Sequence, residues 1–410
     1  MTKRRGAIAA LVALGATTSV RAQQASAETN CNTPPRDAVT FVDVPGNPFQ
    51  ALPSADGCWV FVSMPGGSPR RESQIGVLRR DGGKLQLERA MPIDGNATGM
   101  VLTHDGRTLI VADGQRIAFV DVDKLVKTRS NAVLGYLDEP GRIGRIYANV
   151  TRDDKTLFVA DEGAQTITVI DLAKIRASNF RVSSIIGKIP TGSLPISLTF
   201  SPDESLLYTT SQWAPKALNW PAECKREGAA AGNDTTPVNP QGAILVVDAA
   251  LAQVDPAHSL LGAIPAGCSA VRLVLSPSGD RVYVTARNSN ALLVFDAAKL
   301  RSDPGHARIA SVTVGTAPVG VAVVDSGRKV IVTNSNRFAG SSNDRQTLTL
   351  LDATKLGSGE NAVLGSIPAG AFPREMRVTA DGKTLLVTNF ASRSIEAIDL
   401  ARLSQALKKP

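Results

Sequence analysis

Histidine is nearly missing from this chain: His104, His258 and His306 are the only three among 410 residues. None stands in a His-Glu-x-x-His or Cys-x-x-Cys-His arrangement, which removes zinc-dependent hydrolysis and covalently attached haem from consideration. Each lies beside a tight turn or in a linker of a different repeat, so a serine nucleophile would lack its base. Cysteine stops at four and aromatic residues at 4%. No glycine-rich loop precedes a helical pattern, so no phosphate cradle is expected. Beyond the N-terminus no apolar run approaches the ~20 residues that a membrane-spanning helix requires.

Glycine and proline, in contrast, are plentiful at 35 and 24, and the apolar fraction is 43% against 20% charged. Such a chain folds, and it turns often. The first residues carry Lys3, Arg4 and Arg5, an apolar stretch from Ala7 to Val20, and small residues at Val20 and Ala22. This is the pattern of a cleaved export signal over residues 1–22, and it predicts a periplasmic or secreted protein. The formal charge of +8 falls to +4 once Lys3, Arg4, Arg5 and Arg21 are set aside. That excess is too mild to argue for nucleic acid by itself.

One unit repeats along the rest of the chain: an Ile-Pro-x-Gly-like start, an apolar strand, a Ser-Pro-Asp-Gly-like turn, a β-branched strand, a polar loop, and an apolar strand ending in Asp. Turn centres at Asp56-Gly57, Asp105-Gly106, Asp153-Asp154, Asp203-Glu204, Ser278-Gly279, Ser326-Gly327 and Asp381-Gly382 are 48 to 55 residues apart, except for one interval of 75. Closing aspartates follow at Asp121, Asp171, Asp248, Asp296, Asp352 and Asp399, with Arg79 or Asp81 in the first copy. Repeats of this length are the signature of radial or solenoid architectures. A lone four-stranded sheet cannot bury both faces, whereas radial stacking can. The fold expected is an all-β, seven-bladed β-propeller of four-stranded antiparallel blades, spanning residues 38–405. Residues 23–37 form an extension and 406–410 a tail. The chain ends just after a third strand, so the segment Ala38 to Val44 is expected to complete the last blade.

Blade topology then sorts the loops onto two faces. The long ones, Met64 to Gln74, Ser211 to Gly242 and Asn334 to Gln346, all join second to third strands, so they crown one face together with the inter-blade loops around the channel. Long loops on a rigid scaffold are where binding usually sits. Four cysteines in an exported chain imply two bonds. Cys224 and Cys268 fall on the crowned face in adjacent blades, while Cys31 and Cys58 fall on the opposite one, so the pairing expected is Cys31 with Cys58 and Cys224 with Cys268.

At the crowned mouth of the channel the sequence gathers polar strand ends. Gln50, Asp113, Arg145, Asp161, Arg272, Arg287, Asn334, Arg374 and Asn389 are the candidate ligand-binding residues for a small polar or anionic ligand. Asp113, Asp161 and Glu162 would serve a hard divalent cation if one binds; no other cofactor is indicated. As catalytic groups, Asp113, Asp161 or Glu162 would activate water, with Arg145 or Arg374 steadying an oxyanion. In the long loops Trp213, Lys216, Trp220, Arg337 and Phe338 are candidate contacts for a protein, a glycan or, through stacking and charge aided by Lys225 and Arg226, nucleic acid.

Strands two of the last units read Leu-Leu-Val-Thr-Asn at Leu385 to Asn389 and Val-Ile-Val-Thr-Asn at Val330 to Asn334; Val-Tyr-Val-Thr-Ala at Val282 to Ala286 departs at its final residue. In these repeats the chain resembles the YVTN family of β-propellers over roughly Ala38 to Leu403. The resemblance implies kinship with YncE-like periplasmic propellers, one of them similar to a DNA-binding protein, with surface-layer propellers, and with lactonase-like hydrolases. None of the lactonases' catalytic positions matches here residue by residue. The expectation is therefore a monomeric, exported binding propeller that uses its crowned face, with a lactonase-like hydrolase of cyclic esters as the alternative.

Overall fold

The computed structural model describes residues 30–66, 72–128, 130–139, 141, 144–214, 218, 220–224, 239–337 and 346–408. Residues 1–22, read as an export signal, and Lys216, Lys225, Arg226 and Phe338 lie outside the described residues. Seven antiparallel sheets succeed one another around a central channel, each pairing an inner, second, third and outer strand in chain order. The inner strands are Gln50–Pro53, Met100–Leu102, Arg145–Val150, Ser193–Pro195 with Thr199–Phe200, Ala270–Leu275, Pro318–Val324 and Pro373–Val378. In the fourth blade this strand is split in two, and Leu194 there adopts a left-handed conformation (φ +59°). The last blade takes its outer strand from the beginning of the chain: Val39–Asp43 pairs antiparallel with Ser394–Asp399.

Repeated residues have repeated jobs. In the tight turns a Ser or Thr hydroxyl donates to the Asp two positions on, as in Thr103 to Asp105 (2.6 Å), Thr151 to Asp153 (2.7 Å) and Thr379 to Asp381 (2.6 Å). The residue after that Asp has positive φ, which favours glycine: Gly57, Gly106 and Gly382 supply it. Blades three and four place Asp154 and Glu204 there instead, and each carboxylate accepts the backbone N–H of the preceding blade's turn, His104 and Arg152 respectively. Where the preceding turn has Pro202 or Pro277, with no N–H to offer, the next blade returns to glycine, Gly279 and Gly327, and the proline ring packs against it.

The closing aspartates are helix caps. Asp121, Asp171, Asp248, Asp352 and Asp399 each accept a backbone N–H two or three residues ahead in a short helix that follows the third strand. The first blade has no such helix. There Asp81 pairs with Lys84 across Gly82-Gly83, both at positive φ, and the third strand returns directly as the outer one.

The Thr next to the end of the second strand joins neighbouring blades: Thr285 accepts the Arg272 N–H (3.1 Å) and donates to the Val319 carbonyl of the next blade (2.7 Å). Thr388 does the same from the last blade to the first, between Glu375 N–H and the Phe49 carbonyl. Between blades lie dry clusters such as Ile110, Phe119, Val150, Val159 and Ile170, all nearly or wholly buried.

Both disulfides expected from the loop faces are formed, Cys31–Cys58 and Cys224–Cys268, and they fit an oxidising compartment. Around the first, Arg402 donates to the carbonyls of Pro35 and Arg36, tying the N-terminal segment to the last blade. The C-terminal residues do not run free: Lys408 exchanges backbone hydrogen bonds with Ser366 on the outer strand of the sixth blade. Among the described residues no helix is long and apolar enough to cross a membrane.

Candidate functional site

A strand alternates the direction of its side chains, and that alternation divides the candidate residues into wall and mouth. In blades two, three, six and seven the final residue of the second strand points into the wall. Asp113 and Asp161 are fully buried; Asp113 accepts the Asn96 N–H (2.6 Å), and Asp161 accepts those of Gly144 (2.8 Å) and Ala164 (2.9 Å). Asn334 donates to Thr347 and Thr349, and Asn389 to Glu396 (3.1 Å). These four hold the inter-blade loops, whose glycines Gly95, Gly315 and Gly370 approach so closely that a Cβ would collide with the Asp or Asn. The expectation that they face a ligand is corrected accordingly.

Two further candidates belong to the wall. Gln50 is fully buried and accepts the Met100 N–H of the next blade (2.5 Å). Arg145 is 1% exposed; it pairs with Glu139 (2.8 Å) and donates to the Gln115 carbonyl (2.8 Å), which holds its guanidinium in the wall with Nε alone unpartnered. Asp113, Asp161 and Glu162 do not assemble a cation site, and no group of three or more metal-ligating side chains converges among the described residues. The histidines sit at turns: His258 and His306 each contact the Asp of their own Asp-Pro-x-His turn (2.9 Å).

What does converge lies one residue further along. Glu162, Arg287 and Phe390 each follow directly on a second strand, in blades three, five and seven, and reach the crowned mouth. Arg374, the second residue of the last inner strand, joins them with its guanidinium 3.9 Å from the ring centre of Phe49 and 5.7 and 5.8 Å from those of Phe372 and Phe390. Arg337, from the long loop of the sixth blade, stands 5.2 Å over Phe372, and Phe372 and Phe390 pack at 5.3 Å.

Electrostatics bind this group into one site. Partial burial pushes the Glu162 carboxyl above its ordinary value, opposed by the positive charges of Arg374, Arg287 and Arg337 in that order. Burial draws Arg374 and Arg287 down to about 10, Arg287 also through repulsion by Arg337 and Arg374. Arg374 and Arg287 remain protonated at neutral pH, and with Arg337 they set three guanidinium groups around the Glu162 carboxyl.

Beneath the mouth the channel is partitioned. Glu375 accepts from Arg272 (2.7 Å) and from the Tyr147 hydroxyl (3.1 Å), and the Arg272 guanidinium lies 3.9 Å from the Tyr147 ring centre. Sequence reasoning named Arg272 but missed Tyr147, Glu375 and the three phenylalanines. Their signal was available in the repeat: Arg272 and Glu375 both donate a backbone N–H to the strand-two Thr of their own blade, and so occupy equivalent positions.

Of the loop candidates, Trp213 and Trp220 are half-buried at the base of the fourth blade's large loop, whose two ends are fastened by Cys224–Cys268 and by an Asn288 to Asn239 hydrogen bond (2.9 Å) beside Arg287.

No family model matches the chain, and no curated protein matches it. Solved structures do. The chain is similar to a structure of Kuenenia stuttgartiensis hydrazine synthase (TM-score 0.62, 16% identity, 88% of this chain and 98% of that one). It is also similar to a chain of the mitotic checkpoint complex (0.61, 14% identity, 94% and 99%). A third match is the β-propeller domain of Cps50 (Swd1) from Myceliophteria thermophila (0.59, 10% identity, 88% and 99%). At these identities the likeness concerns architecture: this chain is a seven-bladed β-propeller.

Proposed function

We propose that this protein is an exported binding propeller of the YVTN type that holds an anionic ligand, or an acidic segment of a partner, at its crowned mouth. One observation carries the reading: Arg287, Arg337 and Arg374 surround the single carboxylate of Glu162 against a floor of phenylalanine rings. Guanidinium groups match carboxylate and phosphate geometry, and a partly desolvated setting strengthens each contact. Long loops border the same mouth, which gives a partner a broad surface to grip. Both disulfides support an oxidising compartment.

The test is calorimetric titration of the mature protein with a short oligoglutamate peptide and with inorganic polyphosphate, at low and high salt. Salt-sensitive binding to either, weakened at least tenfold by Arg337→Gln with Arg374→Gln, is the expected result. Absence of binding at low salt, or equal binding by the double variant, overturns the proposal. The hydrolase reading retains Glu162 and Arg374 from its five residues, since Asp113, Asp161 and Arg145 are engaged in the wall. A raised Glu162 beside Arg374 is the feature in its favour. Turnover of a lactone panel, lost in Glu162→Gln, would replace the binding proposal by that one.

A further inference from the structure

We propose that the lower half of the central channel is a second binding site, separate from the crowned mouth and suited to a small organic acid with an apolar body. Beneath the layer of Arg272, Tyr147 and Glu375 the channel widens into a cavity of about 310 Å³ to which all seven inner strands contribute. Its lining includes the penultimate residues of several inner strands, such as Leu52, Thr199 and Arg377, just ahead of the tight turns. The cavity therefore opens on the face opposite the long loops. Its volume is at the lower end of the range for small-molecule pockets, roughly 300–1,000 Å³.

Charge decides what enters. The charged side chains in the lining are Arg272, Arg377 and Glu375, two cations against one anion. Glu375 is fully used: one oxygen takes Arg272 (2.7 Å) and the Tyr147 hydroxyl, the other takes Arg377 (3.2 Å). One positive charge is left over. Arg272 is only 6% exposed, yet its Nε and Nη1 have no hydrogen-bond partner, compensated in part by the face of Tyr147. Arg377, 41% exposed, is the guanidinium that an incoming carboxylate can reach. The remaining wall is about half apolar, with Leu52, Val101, Leu198, Val274 and Val321, interrupted by Asn149, Ser197 and Thr199. A single anionic head with a short hydrocarbon body satisfies both surfaces; a neutral alcohol satisfies one, and a dianion overcompensates the charge.

The experiment is calorimetric titration of the mature protein with hexanoate, hexanol, acetate and adipate at low salt. Hexanoate is expected to bind at least tenfold more tightly than the other three. Arg377→Gln, which removes the surplus charge, and Val321→Phe, which fills the cavity without touching a charge, should each weaken hexanoate at least tenfold. Arg337→Gln at the mouth should leave it unchanged. Absence of hexanoate binding to the wild type, or binding that survives both channel variants, refutes the site. Loss caused by Arg337→Gln alone assigns the acid to the mouth and also refutes it. Failure of the crowned-mouth reading leaves this result untouched, because the variants that define the channel site, Arg377→Gln and Val321→Phe, lie outside the mouth.

Discussion

Replacing Asp113 by Asn should make the protein more stable in mild alkali and less stable in acid. Asp113 is fully buried at the end of the second blade's second strand, and its Oδ2 has no hydrogen-bond partner. Burial raises its carboxyl to about 7, against the Asn96 N–H and the Arg116 charge, which pull the other way. In the unfolded chain an aspartate titrates near ~3.9. Between these values the folded state binds more protons than the unfolded one, so the favourable contribution is complete below about pH 4 and is lost as pH rises to about 7. A shift of roughly three pH units corresponds to ~4 kcal/mol at about 1.4 kcal/mol per unit. Asn keeps the acceptor for Asn96 but brings an NH2 group that faces Arg116 instead of a carbonyl, a cost of about 1–3 kcal/mol. The balance is a gain of about 1–3 kcal/mol at pH 8. At pH 4, where the wild-type side chain is a neutral acid and the amide's cost is no longer offset, the variant should be about 1–3 kcal/mol less stable than wild type. Urea unfolding with disulfides intact, at both pH values, measures the difference. An Asn variant no more stable than wild type at pH 8, or a wild type whose pH dependence matches the variant's, would refute the account.

Glu396→Gln follows the same sign, since burial also raises that carboxyl to about 7; the gain at pH 8 should vanish by pH 4 in the same urea assay. Removing Cys31–Cys58 with a paired Ser substitution should cost about 3.5 kcal/mol by loop-closure entropy over the 27-residue separation, read as a lower unfolding midpoint. Thr388→Val, which breaks the bridge from the last blade to Phe49 and Glu375, should cost about 1–2 kcal/mol in the same assay, whereas an unchanged midpoint would show the bridge to be dispensable.

The architecture was open to sequence reasoning because each repeated residue performs a local task that its neighbours also reveal. Asp-Gly turns need positive φ, and every blade supplies it at the same place. Cys31 and Cys58 met because a strand count assigned both to one face. Asp153-Asp154 and Asp203-Glu204 were legible only as variant turns. Their second carboxylate reaches into the preceding blade, a long-range contact that no periodicity within one repeat contains. The mouth was half legible for a related reason. Polar residues at the ends of second strands read in sequence as facing the mouth, but a strand shows its last residue to one side and the next residue to the other. Asp113, Asp161, Asn334 and Asn389 therefore went into the wall, while Glu162, Arg287 and Phe390 reached the mouth. Arg145 and Arg374 illustrate the same offset on the inner strands: Arg145 pairs with Asp161 as Pro373 pairs with Asn389, so Arg374 is one position further on.

The contacts between turns supply a sharper test of the repeat logic than any single deletion. His104 N–H and Asp154 form a donor and acceptor across blades two and three, with the His104 ring adding a contact at 2.8 Å. Two circuit positions later the same geometry is met by Pro202 over Gly279, which needs neither partner. Asp154→Gly alone relieves a left-handed aspartate, worth about 1 kcal/mol, but strands the His104 N–H, which loses a charged acceptor worth about 1.5–3 kcal/mol. His104→Pro alone removes the donor and leaves the Asp154 carboxylate short of partners. Combined, the two substitutions recreate the proline-on-glycine contact already tolerated elsewhere in the ring. The double variant should thus be at least 1 kcal/mol more stable than the sum of the single effects, measured as a double-mutant cycle in urea. Strict additivity would mean that the turns are independent, and that the alternation of carboxylate and glycine around the ring has no energetic basis.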